Sequence, residues 1–523
     1  MGNKKRKYVE LFAGCGGMSL GIESEGYERL FANELSPMPA ATYAFNLIHH
    51  KRPESNNPET WYTRLYSPDE EGLYNADPRL NLDKSISNTA IEELSKFKGG
   101  MFVGGINQLN HCLQKLPHAK LQELDIDILS GGPPCQSFSL AGRRDRNNPR
   151  NNLPFEFAES AALLNPKVVL LENVTGILRP FKDIDGNKWY AWYEVAKAFW
   201  FKGYVPICTH AEAQKYGVPQ RRPRFLMVAV RKDIASNAVK QLDRLPNGLR
   251  LDWQSTRLAI EESLNFFLKF KQEFPDNPAE YKYYEPNINW PERLLPMHAR
   301  PIDVQSVIDS LTNPNSSKDR AYLHILSDSF DFLLPSEVRS GGLTSDEMKN
   351  RAFRRHSLHV KARFRILRIL ADRKQKTVDN KYLQMISEED FIWLLKQKLI
   401  FPQDHSEKTR VPKGEEELKN LLKSLQSKKH SQRALIRKKI APAQLSIPDD
   451  LVHYEVDRTL SVREMARIQS FPDWYEFKGK VTTGGNQRAY EVPRYTQVGN
   501  AVPPLMAKQI AKGIREFLDV IGE

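Results

Sequence analysis

Residues 8–34 read YVELFAGCGGMSLGIESEGYERLFANE, and their pattern decides the fold. YVELF (8–12) is an apolar run of strand length. AGCGG then breaks it with glycines. MSLGIESEG has helical composition, and Gly26 is placed to close it in the left-handed conformation that helix ends favour. RLFANE (29–34) predicts a second strand. Strand, glycine turn, helix, strand is the repeating unit of a parallel sheet. MFVGGI (101–106), DIDILSGG (125–132), KVVLLENV (167–174) and RFLMVAV (224–230) continue the series. Helical stretches such as EFAESAALL (156–164) and YAWYEVAKAFWFKG (190–203) fall between them. Near-continuous apolar strands alternating with helices predict an α/β fold, with helices covering both faces of the sheet.

The glycine turn carries a functional expectation. Gly14, Gly16 and Gly17 stand at a strand-to-helix turn, where α/β sheets bind nucleotides. Glu34 ends the next strand about 20 residues on, where an acidic side chain can take ribose hydroxyls. A dinucleotide fingerprint needs a glycine where this chain has Ser19, which disfavours an NAD-dependent oxidoreductase. The shorter loop fits an adenosine ligand without a pyrophosphate, such as S-adenosylmethionine (SAM). A purely structural turn is the competing reading of the glycines alone.

Composition sets the bounds. At 523 residues, two domains or one large elaborated domain are expected. No apolar run reaches the length of about 18 residues that a transmembrane helix needs. Lysine and arginine total 77 against 64 aspartates and glutamates, a net charge of +13. That surplus favours a polyanionic partner, most commonly nucleic acid. Cys15, Cys112, Cys135 and Cys208 are scattered, with neither zinc-ligand spacing nor a disulfide framework, so a reducing compartment is expected. Residues 50–100 form a polar insertion. From about 235 to 450 the chain turns charged and irregular. Two stretches there are strongly basic, RAFRRHSLHVKARFRILR (351–368) and KSLQSKKHSQRALIRKK (423–439), and are expected to neutralise phosphates. Compact character returns from about 455.

Residues 125–139, DIDILSGGPPCQSFS, place Cys135 at the end of a predicted strand, behind two prolines that fix φ. An isolated cysteine would be read as inert and buried. This one has partners: Glu172 and Asn173 close KVVLLENV, and YGVPQRRPRF supplies Arg222 and Arg224, which face one side if that segment is extended.

These motifs carry a resemblance. FAGCGG, GGPPCQSFS, ENV, YGVPQRRPR, REMARIQSFP and QVGNAVPP occur in the order found in the DNA (cytosine-5)-methyltransferases, and the chain resembles that family over about 1–235 and 455–523. The resemblance implies a Rossmann-like SAM-dependent methyltransferase sheet with a smaller, irregular target-recognition domain. It implies a catalytic domain over 1–235, the recognition domain or insertion over 236–454, and a return to the catalytic domain over 455–523. It makes Cys135 the thiolate that attacks C6 of cytosine, so that C5 can take the methyl group. Glu172 would hydrogen-bond or protonate N3, which implies a carboxyl pKa raised by burial. Arg224, with Arg222 beside it, would hold the base and order the site. Gln136, Ser137 and the loop up to Arg143 and Arg144 match a mobile loop that closes over a flipped base.

For the SAM co-substrate the resemblance implies Phe12, Ala13, Gly14, Gly16, Gly17, Glu34, Leu35, Ile106, Pro134, Leu153, Asn500 and Ala501. No metal is expected. The chain departs from the family in three places. Gly105 stands where an aspartate usually meets the adenine amino group, leaving the Ile106 backbone for that contact. Pro154 replaces an aromatic residue. Gln444-Leu445 is the nearest counterpart to the Thr-Leu pair of the recognition domain, and it is not a match. The implied partner is double-stranded DNA, with a cognate restriction endonuclease in the same system and no membrane. A monomer, bacterial or phage-encoded, in the cytoplasm and associated with the nucleoid through DNA, is expected. The rival readings are a tRNA cytosine-5 methyltransferase, which lacks support because no Cys-Phe-Thr signature occurs, and an orphan or non-catalytic DNA-binding relative.

Overall fold

The computed structural model describes residues 5–49, 99–134, 152–182, 188–270, 273–281, 290–297, 299–334, 348–397, 401–402, 409–410, 412, 414–427, 429, 431–444, 446–485, 487 and 491–523. Cys135, Gln136, Ser137, Arg143, Arg144, Leu445 and the 50–98 insertion therefore lie outside the described residues.

Seven strands form one sheet. They are β1 (Lys7–Leu11), β2 (Glu28–Glu34), β3 (Gly100–Val103), β4 (Ile128–Gly131), β5 (Val168–Val174), β6 (Tyr204–Glu212) and β7 (Pro223–Arg231). Their order across the sheet is β3-β2-β1-β4-β5-β7-β6. The first five run parallel, and β7 lies antiparallel between β5 and β6. The fold is thus mixed α/β with a mostly parallel sheet, as the strand–helix alternation predicts. The strand over Tyr204–Glu212 has no counterpart in the sequence reading. It follows α4 (Ala191–Phe201) directly, and its partner β7 returns without a crossover helix, which is how antiparallel neighbours connect.

The expected strand over 101–106 is shorter than its apolar run. It stops at Val103, and the backbone N–H of Gly105 donates to Gln108 Oε1 (3.1 Å) as α2 (Ile106–Gln114) begins. The order of connections reverses between β1 and β4, because β1 leads outward to β2 and β3 while β4 leads to β5. The carboxyl ends of β1 and β4 therefore flank a crevice, the place where open α/β sheets bind ligands.

The helices join chain segments that are far apart. α1 (Gly17–Ser24) is fully buried and packs on α7 (Pro504–Val520). Leu505, Met506, Ile510, Ile514, Phe517 and Leu518 of α7 recur at three- to four-residue spacing, so one face of the helix goes into the core. A Cβ on Gly21 would lie 2.5 Å from the Pro504 carbonyl oxygen, so the two helices touch backbone to backbone. The division drawn at residue 235 does not coincide with a break in packing. Trp253, Ile260 and Phe267 of α5 (Asn247–Phe270) belong to the same buried cluster as the sheet. A second cluster forms later, around Phe364, Leu367 and Leu370 of α6 (Leu358–Lys374) with Leu418, Leu422 and Val452. Among the described residues no helix is long and apolar enough to cross a membrane.

Candidate active site

The crevice is edged on one side by the glycine turn. The Gly14 N–H donates to Glu34 Oε2 and the Ser36 N–H to Oε1, both at 2.8 Å, so Glu34 ties the turn to the end of β2. Each carboxylate oxygen can accept more than one hydrogen bond. Gly14 has φ +54°, and a Cβ there would meet nothing within 4 Å. The turn thus presents bare backbone to open space. Gly16 and Gly17 differ: a Cβ on Gly16 would lie 2.7 Å from Leu47 Cδ1 and Tyr475 Oη, and one on Gly17 2.2 Å from the Val502 carbonyl oxygen. At these two glycines the Cβ side of the backbone is packed against the protein.

The remaining candidate cofactor residues differ in burial. Phe12 is half-buried, takes φ +54° and meets Phe157 of α3 (Leu153–Leu164) edge-on at 6.2 Å. Ala13 is buried, and its N–H donates to the Asn33 carbonyl (2.9 Å). Leu35 and Leu153 are half-buried, while Pro134 and Asn500 are exposed. Ile106 is buried in the core. Ala501 is buried beside Asn500. Open space above Gly14, a carboxylate at the end of β2 and apolar rims at Phe12 and Leu35 fit an adenosine with a short charged tail.

The second side of the crevice carries the candidate reactive groups. Glu172 lies two residues before the end of β5 and is buried. A Cβ built on Gly132 would lie 3.2 Å from its Oε2, and Asn173 Nδ2 donates to the Pro133 carbonyl (3.0 Å). The two prolines that precede Cys135 are thereby fixed beside Glu172. Arg224 Nε lies 2.7 Å from Glu172 Oε1. That is a close contact of opposite charges rather than an aligned hydrogen bond, since the Nε–H lacks a partner in line. Register explains the pair: Leu226 stands opposite Glu172, and Arg224 is two residues away on the same face of the sheet.

Arg222 does not share that partner. It is 1% exposed, and its guanidinium reaches three backbone carbonyls: Nη1 to Gln444 (2.9 Å), and Nη2 to Gly499 (2.7 Å) and Ala501 (3.2 Å). Burial, then the neighbouring charge of Arg224, disfavour its cation, and Glu172 opposes them. The two arginines expected to face one side thus divide the work, Arg224 at the carboxylate and Arg222 as a clamp across three segments. The clamp was invisible in the sequence, because 222 meets 444 and 499 only through the fold. Gln444, flagged above as a poor match, is fixed beside Arg222.

The basic stretches are less free than their composition predicts. Arg354 pairs with Asp449, Arg365 and Arg368 pair with Asp457, and Arg363 donates to Gln432 Oε1 (2.9 Å). Lys429 pairs with Asp449 and Arg437 with Glu455. Arg355, Lys361, Lys438 and Lys439 are exposed.

Sheet and crevice together describe an α/β protein with an open crevice at the carboxyl edge of its parallel strands. Residues 6–65 and 83–516 match the C-5 cytosine-specific DNA methylase family, and the chain belongs to it. It is accordingly a SAM-dependent DNA cytosine-5 methyltransferase. It is similar to the type II methyltransferase M.DdeI of Desulfomicrobium norvegicum, 25% identical over 521 residues, 98% of this chain and 89% of that one. It is similar also to the DNA (cytosine-5-)-methyltransferase M.ApeKI of Aeropyrum pernix, 25% identical, with 98% and 99% of the two chains covered. The type II methyltransferase M.Eco47II of Escherichia coli is 23% identical over 98% of this chain and 80% of its own.

Proposed function

We propose that the protein methylates carbon 5 of a cytosine flipped out of a short, specific double-stranded DNA sequence, through a covalent bond between Cys135 and C6. The observation that carries this reading is the Glu172–Arg224 pair, 2.7 Å apart, held against the segment that leads into Cys135. Cytosine C5 is a weak nucleophile. Addition of a thiolate to C6 pushes electrons onto the ring, and a carboxyl at N3 with a guanidinium beside it is suited to receive that charge. SAM, when bound, supplies a methyl group on a positively charged sulfur. Phe12, Gly14, Glu34, Leu35 and the Asn500–Ala501 edge would hold it, with Glu34 accepting from the ribose hydroxyls. Loss of the C5 proton then allows the thiolate to leave and restores the aromatic ring. The base must leave the stack to meet both sides of the crevice.

The other three cysteines do not suit the nucleophile's role. Cys15, Cys112 and Cys208 are buried, and burial pushes each thiol up, Cys208 to about 12. The second hydrophobic cluster, with exposed Arg355, Lys361, Lys438 and Lys439 on its flanking segments, is the proposed DNA-reading region. By analogy with the type II relatives, the modification protects DNA from a cognate restriction endonuclease. Bisulfite sequencing of DNA from cells expressing the protein tests the reading, with Cys135→Ala as control. Protected cytosines at one short motif, absent in the control, are expected. An unprotected genome from cells holding folded, SAM-binding protein would overturn it and direct attention to RNA.

A further inference from the structure

We infer that Asn107 holds the adenine of the co-substrate, its side-chain oxygen accepting from the 6-amino group. The inference rests on the SAM site drawn above and adds a specificity-determining residue to it. The strand order β3-β2-β1-β4 decides which way the co-substrate lies. Its ribose belongs at Glu34, which ends β2, and its sulfur must face the segment that leads from β4 into Cys135. The base therefore turns the other way, toward the end of β3, one strand spacing of about 4.8 Å beyond β2. Gly104, Gly105 and the start of α2 follow β3 there.

Adenine brings an amino donor to that edge. The backbone of the two glycines is already committed. The Gly104 N–H donates to the Glu34 carbonyl (3.0 Å), and the Gly104 carbonyl accepts from Asn33 Nδ2 (2.9 Å). The Gly105 N–H donates to Gln108 Oε1 (3.1 Å), and the Gly105 carbonyl accepts from the Leu109 N–H (3.1 Å). Asn107 supplies the acceptor that this backbone lacks. It is exposed, and its Oδ1 lies 2.6 Å from where a Cβ on Gly105 would stand. The amide thus fills the space that a side chain at 105 would take, at the carboxyl end of β3. Among the described residues no hydrogen bond engages it. Gly105 has φ −68° and ψ 143°, a conformation open to any residue, so the backbone does not require glycine there. What the glycine provides is room for the Asn107 amide.

The test measures, by calorimetry on the full-length protein, the affinity for S-adenosylhomocysteine and for its analogue with hydrogen in place of the 6-amino group. The wild type should bind the analogue about fivefold to tenfold more weakly, the worth of one hydrogen bond. Asn107→Ala should bind S-adenosylhomocysteine more weakly by the same factor and should no longer tell the two ligands apart. Gly105→Ala should reproduce this, because its Cβ displaces the amide, and should add no loss in the Asn107→Ala background. The ratio of the two affinities reads the contact even in a variant whose fold is loosened, since loosening weakens both ligands alike. A wild type that binds the two ligands equally would overturn the inference, as would an Asn107→Ala or Gly105→Ala variant that keeps the wild-type ratio. A wild type that binds neither ligand would instead overturn the SAM site, and this inference with it.

Discussion

Arg222 offers the sharpest quantitative prediction. Replacing it by methionine keeps the stem and deletes the guanidinium, and so removes the bonds to Gln444, Gly499 and Ala501. Hydrogen bonds from a charged donor contribute roughly 1.5–3 kcal/mol each, which puts an upper bound of about 9 kcal/mol on the loss. Relief of the cost of burying a cation offsets several of these, leaving a net destabilisation of about 3–5 kcal/mol. Because Gly499 and Ala501 flank Asn500, the cofactor edge loosens as well. Urea unfolding followed by tryptophan emission, with calorimetric titration of S-adenosylhomocysteine, reads both effects. Stability should fall by that amount and affinity by about tenfold or more. Arg222→Lys should restore little of either, since one ammonium cannot span three carbonyls. If Arg222→Met unfolds and binds like wild type while turnover disappears, the guanidinium acts on the base and the clamp reasoning is wrong.

Two further predictions come from the glycine turn and the strand beneath it. Gly14→Ala should fold and lose cofactor affinity, because its Cβ enters the open side of the turn, whereas Gly17→Ala should fail to fold, because its Cβ would strike the Val502 carbonyl. Equal behaviour of the two in melting and binding assays would count against the division drawn between them. Glu10 lies buried under the turn, bonded to Ser19, and burial pushes its carboxyl up to about 8 from an ordinary 4.5. The folded state then keeps a proton that the unfolded chain gives up, so stability is greatest at low pH and falls as pH rises from about 4.5 to about 8. Between pH 6 and pH 8 the loss should be about 2 kcal/mol in denaturant titrations, and Glu10→Gln should lack it. The same pH slope in both proteins would refute the assignment to Glu10.

What the sequence made legible is what neighbours in the chain determine. The β1–turn–α1–β2 unit, the strand before Cys135 and the Glu172 strand follow from apolar runs interrupted by glycine and proline, and each stands within a few residues of its expected place. The reversal of β7 was not legible, because β-strand composition carries no direction. Arg222 and Arg224 looked like a matched pair because they are two residues apart. Their separate partners depend on residues up to 279 positions away. The basic stretches misled for the same reason: Asp449 and Asp457, which neutralise much of α6 and the segment before it, lie about 90 residues downstream. Gln444 is a mismatch in the sequence, and its anchorage to Gln220 and Arg222 joins positions more than 200 residues apart, which the sequence does not reveal.

The most direct test of the covalent mechanism uses a duplex carrying the methylated motif with 5-fluorocytosine at the target position. Fluorine at C5 cannot leave as a proton would, so an enzyme that has added its thiol to C6 and transferred the methyl group stays bound. With SAM present, the wild-type protein should form a denaturation-resistant protein–DNA complex, peptide mapping should place the link at Cys135, and Cys135→Ala should form none. A wild type that methylates the ordinary motif but traps nothing, or a Cys135→Ala variant that still traps, would contradict the account.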